Sequence, residues 1–222
     1  MSRRGWSTSN YVRYGVGMVT AAPLTMAVWA KTSVTGTAQV PMGLFSSGSA
    51  YNRNSFRLEI TTGNVVAAAT ASGGGSSQAV SSTSISADTW FHACGVFASS
   101  TSRAAYLNGA GKGTEATSRV PSSVDRISIG VGEGTTAAQP LAPAGTGDIA
   151  EAALWNVALT DAEVASLATG ISPLLIRPTS LVGYWPLIGV IDPEPNLFSN
   201  ASKMFIQGSL SAAAHPRVFI RG

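Results

Sequence analysis

Short runs in which apolar and polar side chains alternate recur along most of the chain, and they define its predicted elements. Phe56, Leu58 and Ile60 share one face of an extended segment while Arg57 and Glu59 take the other, which predicts a strand with one wet side. Leu24, Met26, Val28 and Ala30 alternate with Thr25, Ala27 and Trp29, leaving both faces largely apolar as a central strand requires. Runs of this kind predict strands near Tyr11–Tyr14, Leu24–Lys31, Met42–Ser47, Ser55–Thr61, Asn64–Ala71, Trp90–Ala98, Arg103–Leu107, Arg126–Val131 and Asp148–Trp155. Helical periodicity is nearly absent up to Trp155, and closely spaced short strands are the signature of a sandwich or barrel.

Turn residues punctuate this pattern. Asn108-Gly109, following Tyr106-Leu107, predicts a tight hairpin because both residues tolerate positive φ. Gly73-Gly74-Gly75-Ser76-Ser77 and the stretch 132–147, with Pro140 and Pro143, lack apolar periodicity and are predicted as loops that form contact surfaces. The triple glycine is followed by neither the Lys-Ser/Thr of a phosphate-binding loop nor a helix pattern. One helix is predicted: Thr160 is its N-cap, Glu163 completes a capping box, Leu159 and Val164 form a hydrophobic staple, and Gly170 ends the run. Val164, Leu167 and Ala168 then face the sandwich, and Asp161 and Glu163 serve the helix start rather than catalysis. Beyond Trp185, four prolines divide weakly alternating segments such as Met204–Ile206 and Val218–Ile220. Residues 186–222 therefore read as an extension that either wraps its own domain or adds an edge strand to a neighbour.

Composition narrows the function classes. Charged residues make up 11% of the chain, against about a quarter in typical domains, so much of the surface is expected to lie against neighbours. The formal charge is +3, but only Arg3-Arg4 are adjacent and no basic stripe is interleaved with aromatics, which argues against nucleic acid as a partner. Residues 1–9 read as a solvated or docking arm. No export signal follows the two arginines, and no apolar run approaches the length of a bilayer span, so no membrane is expected. The single cysteine, Cys94, lies in an apolar run and reads as a small buried hydrophobe.

Candidate chemistry is sparse. Sandwich glycosidases carry alternating carboxylates on one strand, and no Glu-x-Asp-x-Glu run occurs here. The acids come singly or in loose pairs, Asp148/Glu151, Asp161/Glu163 and Asp192/Glu194; on a regular strand, Asp148 and Glu151 fall on opposite faces. His92 reads as a packed strand residue and His215-Pro216 as a turn, with no nucleophile motif near either. A carbohydrate platform would need exposed aromatics. Trp29, Trp90 and Trp155 lie in core-like strands, which leaves Trp6, Tyr51 and Tyr11 as the candidates, each more simply explained by local packing. No catalytic, cofactor or metal residue is assigned, and the chain reads as a non-enzyme.

Four blocks in order carry a resemblance: Ala22 to Trp29, Asp88 to Phe97, Ala105 to Gly109, and Gly147 to Thr160. Together they resemble laminin G-like domains of the concanavalin A-like lectin/glucanase superfamily. That resemblance implies an all-β, two-sheet antiparallel jelly-roll sandwich with one short C-terminal helix and an extended tail, the jelly roll covering residues 1–185. It also raises calcium at Asp148, a position where such domains commonly carry an acid. The closing text, Gly170 to Pro178, Leu181 to Leu187 and Ala214-His215-Pro216, is similar to versions found among tailed-bacteriophage structural proteins. This implies a non-catalytic virion protein that decorates or cements the capsid, assembled in a bacterial cytoplasm, a homo-oligomer whose partners are the major capsid protein and copies of itself. The alternative is a carbohydrate-binding, lectin-like module that adheres to host or mucus glycans.

Overall fold

A computed structural model of the chain describes residues 2–15, 18–135, 137–141, 147–188, 192–198 and 204–214. The first strands are β1 (Ser2–Arg4), β2 (Tyr11–Tyr14), β3 (Leu24–Lys31), β4 (Gln39–Phe45) and β5 (Ser55–Thr61). They are followed by β6 (Asn64–Thr70), β7 (Ser76–Ser84), β8 (Phe91–Ser99), β9 (Ser102–Leu107), β10 (Ala110–Glu115), β11 (Arg126–Ile129) and β12 (Asp148–Trp155). Helix α1 (Asp161–Ala168) comes next, then β13 (Leu181–Trp185), β14 (Phe205–Gln207) and β15 (Ser211–Ala213). The strands form two antiparallel sheets. In the first the order is β10-β9-β8-β3-β12-β1-β15, with β13 pairing the far half of β12; in the second it is β14-β2-β11-β4-β5-β6-β7.

Alternation fills the space between the sheets. Leu24, Met26, Val28 and Ala30 of β3 meet Met42 and Leu44 of β4 and Phe56, Leu58 and Ile60 of β5 in one buried cluster, each large side chain contributing about 1.5–3 kcal/mol. Phe56 and Phe97 join the two sheets edge-to-face, with centroids 5.3 Å apart. A second, smaller core covers the outer face of the first sheet, where Ala27, Cys94, Tyr106, Ala153 and Trp155 lie beneath Val164 and Leu167 of α1. The predicted cap is present: Thr160 accepts from the Glu163 backbone N–H and Glu163 reaches back to Thr160. The Asn108-Gly109 hairpin is also as predicted, both residues at positive φ and Leu107 paired with Ala110.

The two sheets meet along one open side, at β7 and β10. A Cβ on Gly113 would sit 1.6 Å from the Val80 carbonyl oxygen, so glycine is what allows the two backbones to close together. The sequence reading placed Ser76 and Ser77 in a loop, whereas both belong to β7. Serine, threonine and alanine fill that strand, and its inward positions carry too little apolar contrast to show a period.

Both chain ends depart from expectation in a consistent way. The predicted N-terminal arm is a strand, β1, paired between β12 and β15. Arg3 is fully buried and forms an ion pair with Glu194, equally buried. Trp6, a candidate aromatic more simply explained by local packing, is packed with no accessible surface, and its Nε1 donates to the Arg3 carbonyl at 2.9 Å. The described parts of the extension lie on this same chain: β14 pairs with β2, and β15 with β1. His215 and Val218–Ile220 lie outside the described residues.

Candidate functional site

Most residues singled out by the sequence serve the fold. Asp148 has no accessible surface, and its carboxylate takes a forked pair of hydrogen bonds from Arg4 at 2.8 and 2.9 Å and a third contact from Lys31 at 2.9 Å. Two cations already saturate this carboxylate, which corrects the calcium expectation: a metal ion there would displace both and face their charge. Among the described residues no three or more His, Cys, Asp and Glu side chains gather to hold a metal. Asp148 and Glu151, expected on opposite faces, share the outer face of the first sheet, because β12 bulges between Ala150 and Ala153 with Glu151 at φ 53°. Glu151 there accepts from the Tyr184 hydroxyl, whose pKa is pushed up by burial first and by Glu151 second.

His92 and Cys94 also belong to this covered face. Burial drives the His92 pKa down to about 3 and that of the Cys94 thiol upward, so one is held neutral and the other unreactive. Trp29 is half-buried there, its ring centroid 5.5 Å from that of His92. Trp90 lies just outside β8 rather than in it, with the Lys31 ammonium 5.7 Å above its ring. A shallow hollow of about 470 Å³ beside α1 holds Tyr106, Lys112 and Asp161, but these are already bonded to one another, the Tyr106 hydroxyl and Lys112 Nζ both donating to Asp161.

The outer face of the second sheet is different. Among the described residues no helix covers these strands, and a shallow depression opens over β5 and β7. Alternation places its floor: with Phe56, Leu58 and Ile60 turned inward, Arg57 and Glu59 must face out. Arg57 Nε donates to Glu59 Oε1 at 2.6 Å, and its Nη1 donates to Ser55 at 2.5 Å and Thr70 at 3.0 Å. Gln78 of β7 approaches the other Glu59 oxygen at 3.4 Å. The pair is only 3% and 4% exposed, so it forms a rigid polar floor in a low-dielectric setting.

The rim adds adaptable groups. Tyr51 and Asn52 enter from the β4–β5 connection, and Gln139 enters from the loop after β11. The Tyr51 ring lies over Gly132, where a Cβ would meet its Cδ2 at 2.8 Å. Tyr51 is half-buried, and its hydroxyl pKa is raised by desolvation, with smaller opposing effects from Arg57 and Glu59. Gln139 Oε1 is buried without a hydrogen-bond partner among the described residues. Among the described residues Glu59 is the single carboxylate that lines the depression.

The fold and this face can now be set beside known proteins. A family model described as concanavalin A-like lectin/glucanases superfamily, of laminin G type, matches residues 7–165. The chain belongs to the concanavalin A-like lectin/glucanase superfamily. No curated protein matches it. Among solved structures it is similar to a "putative carbohydrate binding protein" from Bacteroides ovatus, at TM-score 0.66 and 15% identity, covering 96% of this chain and 60% of that one. This chain thus spans well under two thirds of that protein's length. It is also similar to the Ruminococcus gnavus sialidase CBM40 bound to α2,3 sialyllactose, at TM-score 0.54 and 14% identity, covering 76% and 97% of the two chains. A third likeness is to the enzymatically active domain of tailspike protein 2 from bacteriophage CBA120, at TM-score 0.55 and 16% identity, covering 79% of this chain and 28% of that one. At these identities the likenesses establish the superfamily's fold and nothing finer.

The sequence found part of the uncovered face. Tyr51 was a candidate aromatic, and Arg57 and Glu59 were correctly turned outward, but Gln78, Asn52 and Gln139 were missed. Gln78 sits on the strand that left no apolar signal, and the other two come from connections whose positions depend on the whole sheet.

Proposed function

We propose that this superfamily member is a non-catalytic carbohydrate-binding module that holds a glycan in the depression over β5 and β7. The observation that carries this reading is the chemistry of the lining. Tyr51 brings an aromatic ring to the edge, while Asn52, Gln78 and Gln139 bring amide donors and acceptors around the buried Arg57–Glu59 pair. Gln139 Oε1 awaits a donor that a sugar hydroxyl can supply. Hydrolysis of a glycosidic bond generally uses two carboxylates across the sugar, and among the described residues Glu59, already paired with Arg57, is the only one lining this depression. Two structures of similar fold, the Bacteroides ovatus protein and the CBM40 module, are described in terms of carbohydrate.

A glycan array followed by calorimetry on the best ligand tests this. Gln78→Ala and Tyr51→Ala should each weaken binding about tenfold, the effect of losing one hydrogen bond or ring contact of ~1–1.5 kcal/mol, without lowering the melting temperature. Unaltered affinity in both variants would place the site elsewhere. A capsid-decoration role stands as a second reading, favoured by the tailspike likeness and by the low charge content. It places the module on a virion beside the major capsid protein and copies of itself, with glycan adhesion as its outward activity. Saturable binding to purified capsids tests it independently of any sugar.

A further inference from the structure

We infer that the glycan is acidic and that its carboxylate is held by Arg53, at the glycine-rich rim of the depression. The inference rests on the carbohydrate reading above and adds the charge of the ligand to it. Arg53 is exposed and forms no ion pair or side-chain hydrogen bond among the described residues. Its place is nevertheless defined. The point where Gly74 would carry a Cβ lies 3.6 Å from Cζ, from Nε and from Nη2 of Arg53 alike, so the guanidinium plane packs face-on against that glycine. Gly74 lines the depression together with Ser76 and Gln78, and so does Asn52, the neighbour of Arg53 in the chain. Stacked on the β6–β7 hairpin, the exposed guanidinium keeps its N–H donors without a hydrogen-bond partner among the described residues.

Within the depression the Glu59 charge is matched by Arg57, so Arg53 is a cation in excess. On the other side of the same hairpin the Arg119 guanidinium packs against Gly75 in the same manner, at 3.2 to 3.3 Å, and it too has no acidic partner among the described residues. Over the first sheet Lys112 is paired with Asp161 and Arg177 with Glu163, while Arg4 and Lys31 share the single carboxylate of Asp148. Arg53 therefore places a positive charge without an ion-pair partner beside the rim that a ligand resting on Arg57, Glu59 and Gln78 would reach. A guanidinium fork suits a planar carboxylate, which accepts two parallel N–H donors.

Calorimetry should compare a neutral oligosaccharide with its counterpart ending in a uronate or sialate, and with a sulfated one. The carboxylated glycan is expected to bind about tenfold tighter than the neutral one at low ionic strength, the gain from one charge-assisted contact, and the gap should narrow in salt. Arg53→Gln should lower the affinity for the carboxylated glycan to the neutral level, while Arg177→Gln on the opposite face should leave the preference intact. Equal affinity for neutral and carboxylated glycans, or a preference that survives Arg53→Gln, would overturn the inference and leave the carbohydrate reading standing. Binding of sulfated glycans without any carboxylate preference would also overturn it. Failure to bind any glycan would remove the carbohydrate reading itself.

Discussion

Gly113 shows how one residue can decide whether the sandwich closes. The strands β7 and β10 belong to different sheets, yet their backbones meet where any Cβ at position 113 would overlap the Val80 carbonyl carbon and oxygen at 2.5 and 1.6 Å. Backbone cannot swing aside as a side-chain tip does, so Gly113→Ala must separate the edges. We expect a loss of about 1–3 kcal/mol, the usual cost of overpacking, seen as a lower midpoint in denaturant titration. Gly36→Ala is the control: nothing lies within 4 Å of a Cβ there, so its midpoint should stay within about 0.5 kcal/mol of the parent. The pair of variants separates the close approach from the general effect of removing a glycine. Buried charge works at the same scale. Arg3 and Glu194 are both without accessible surface, and such a pair fixes the geometry of the chain ends more than it adds net stability, because desolvation offsets most of the attraction.

At the scale of elements, the features readable from sequence were those with a local cause. Helix α1 followed from Thr160, Glu163 and Gly170 because caps are satisfied within a few residues. Thr160→Ala should accordingly cost about 1 kcal/mol and should raise amide exchange across α1 specifically, leaving β3 and β12 protected; uniform exchange would mean that the helix does not open on its own. The central strands β3, β5 and β12 were read with their ends in place, β5 from strict alternation and β3 and β12 as apolar runs long enough for a buried strand. Strands β1, β7, β10, β14 and β15 were not. They are short, or are built of Gly, Ala, Ser and Thr, and they exist because neighbours in space offer unpaired edges, which no local pattern records. The Glu151 bulge belongs to the same class: one residue at positive φ reverses the parity of β12, and strict alternation then assigns Asp148 and Glu151 to the wrong relation.

For the whole molecule, the two outer faces divide the labour. The first sheet is roofed by α1 and seals a polar cluster, whereas the second stays open and carries the depression. Arg57 and Glu59 of that depression were legible from a single strand, but its rim is assembled from connections far apart in sequence and emerged only with the fold. The sealed face should also govern how the protein responds to acid. His92 is almost wholly buried, and burial holds its folded pKa at about 3, against about 6.5 in an unfolded chain. A depressed folded pKa means that the unfolded chain takes the proton first. The contribution of His92 is therefore complete above about pH 6.5 and is lost progressively as the pH falls from there towards about 3, by at most ~1.4 kcal/mol per pH unit. Other buried groups titrate too, Glu194 with the opposite sign because burial raises its pKa, so the parent protein alone would not isolate the effect. Comparing it with His92→Gln does. The two melting temperatures should converge as the pH is lowered from 7 to 4, since the variant has no imidazole to protonate on unfolding, and a constant gap across that range would show that the folded-state pKa of His92 is not depressed.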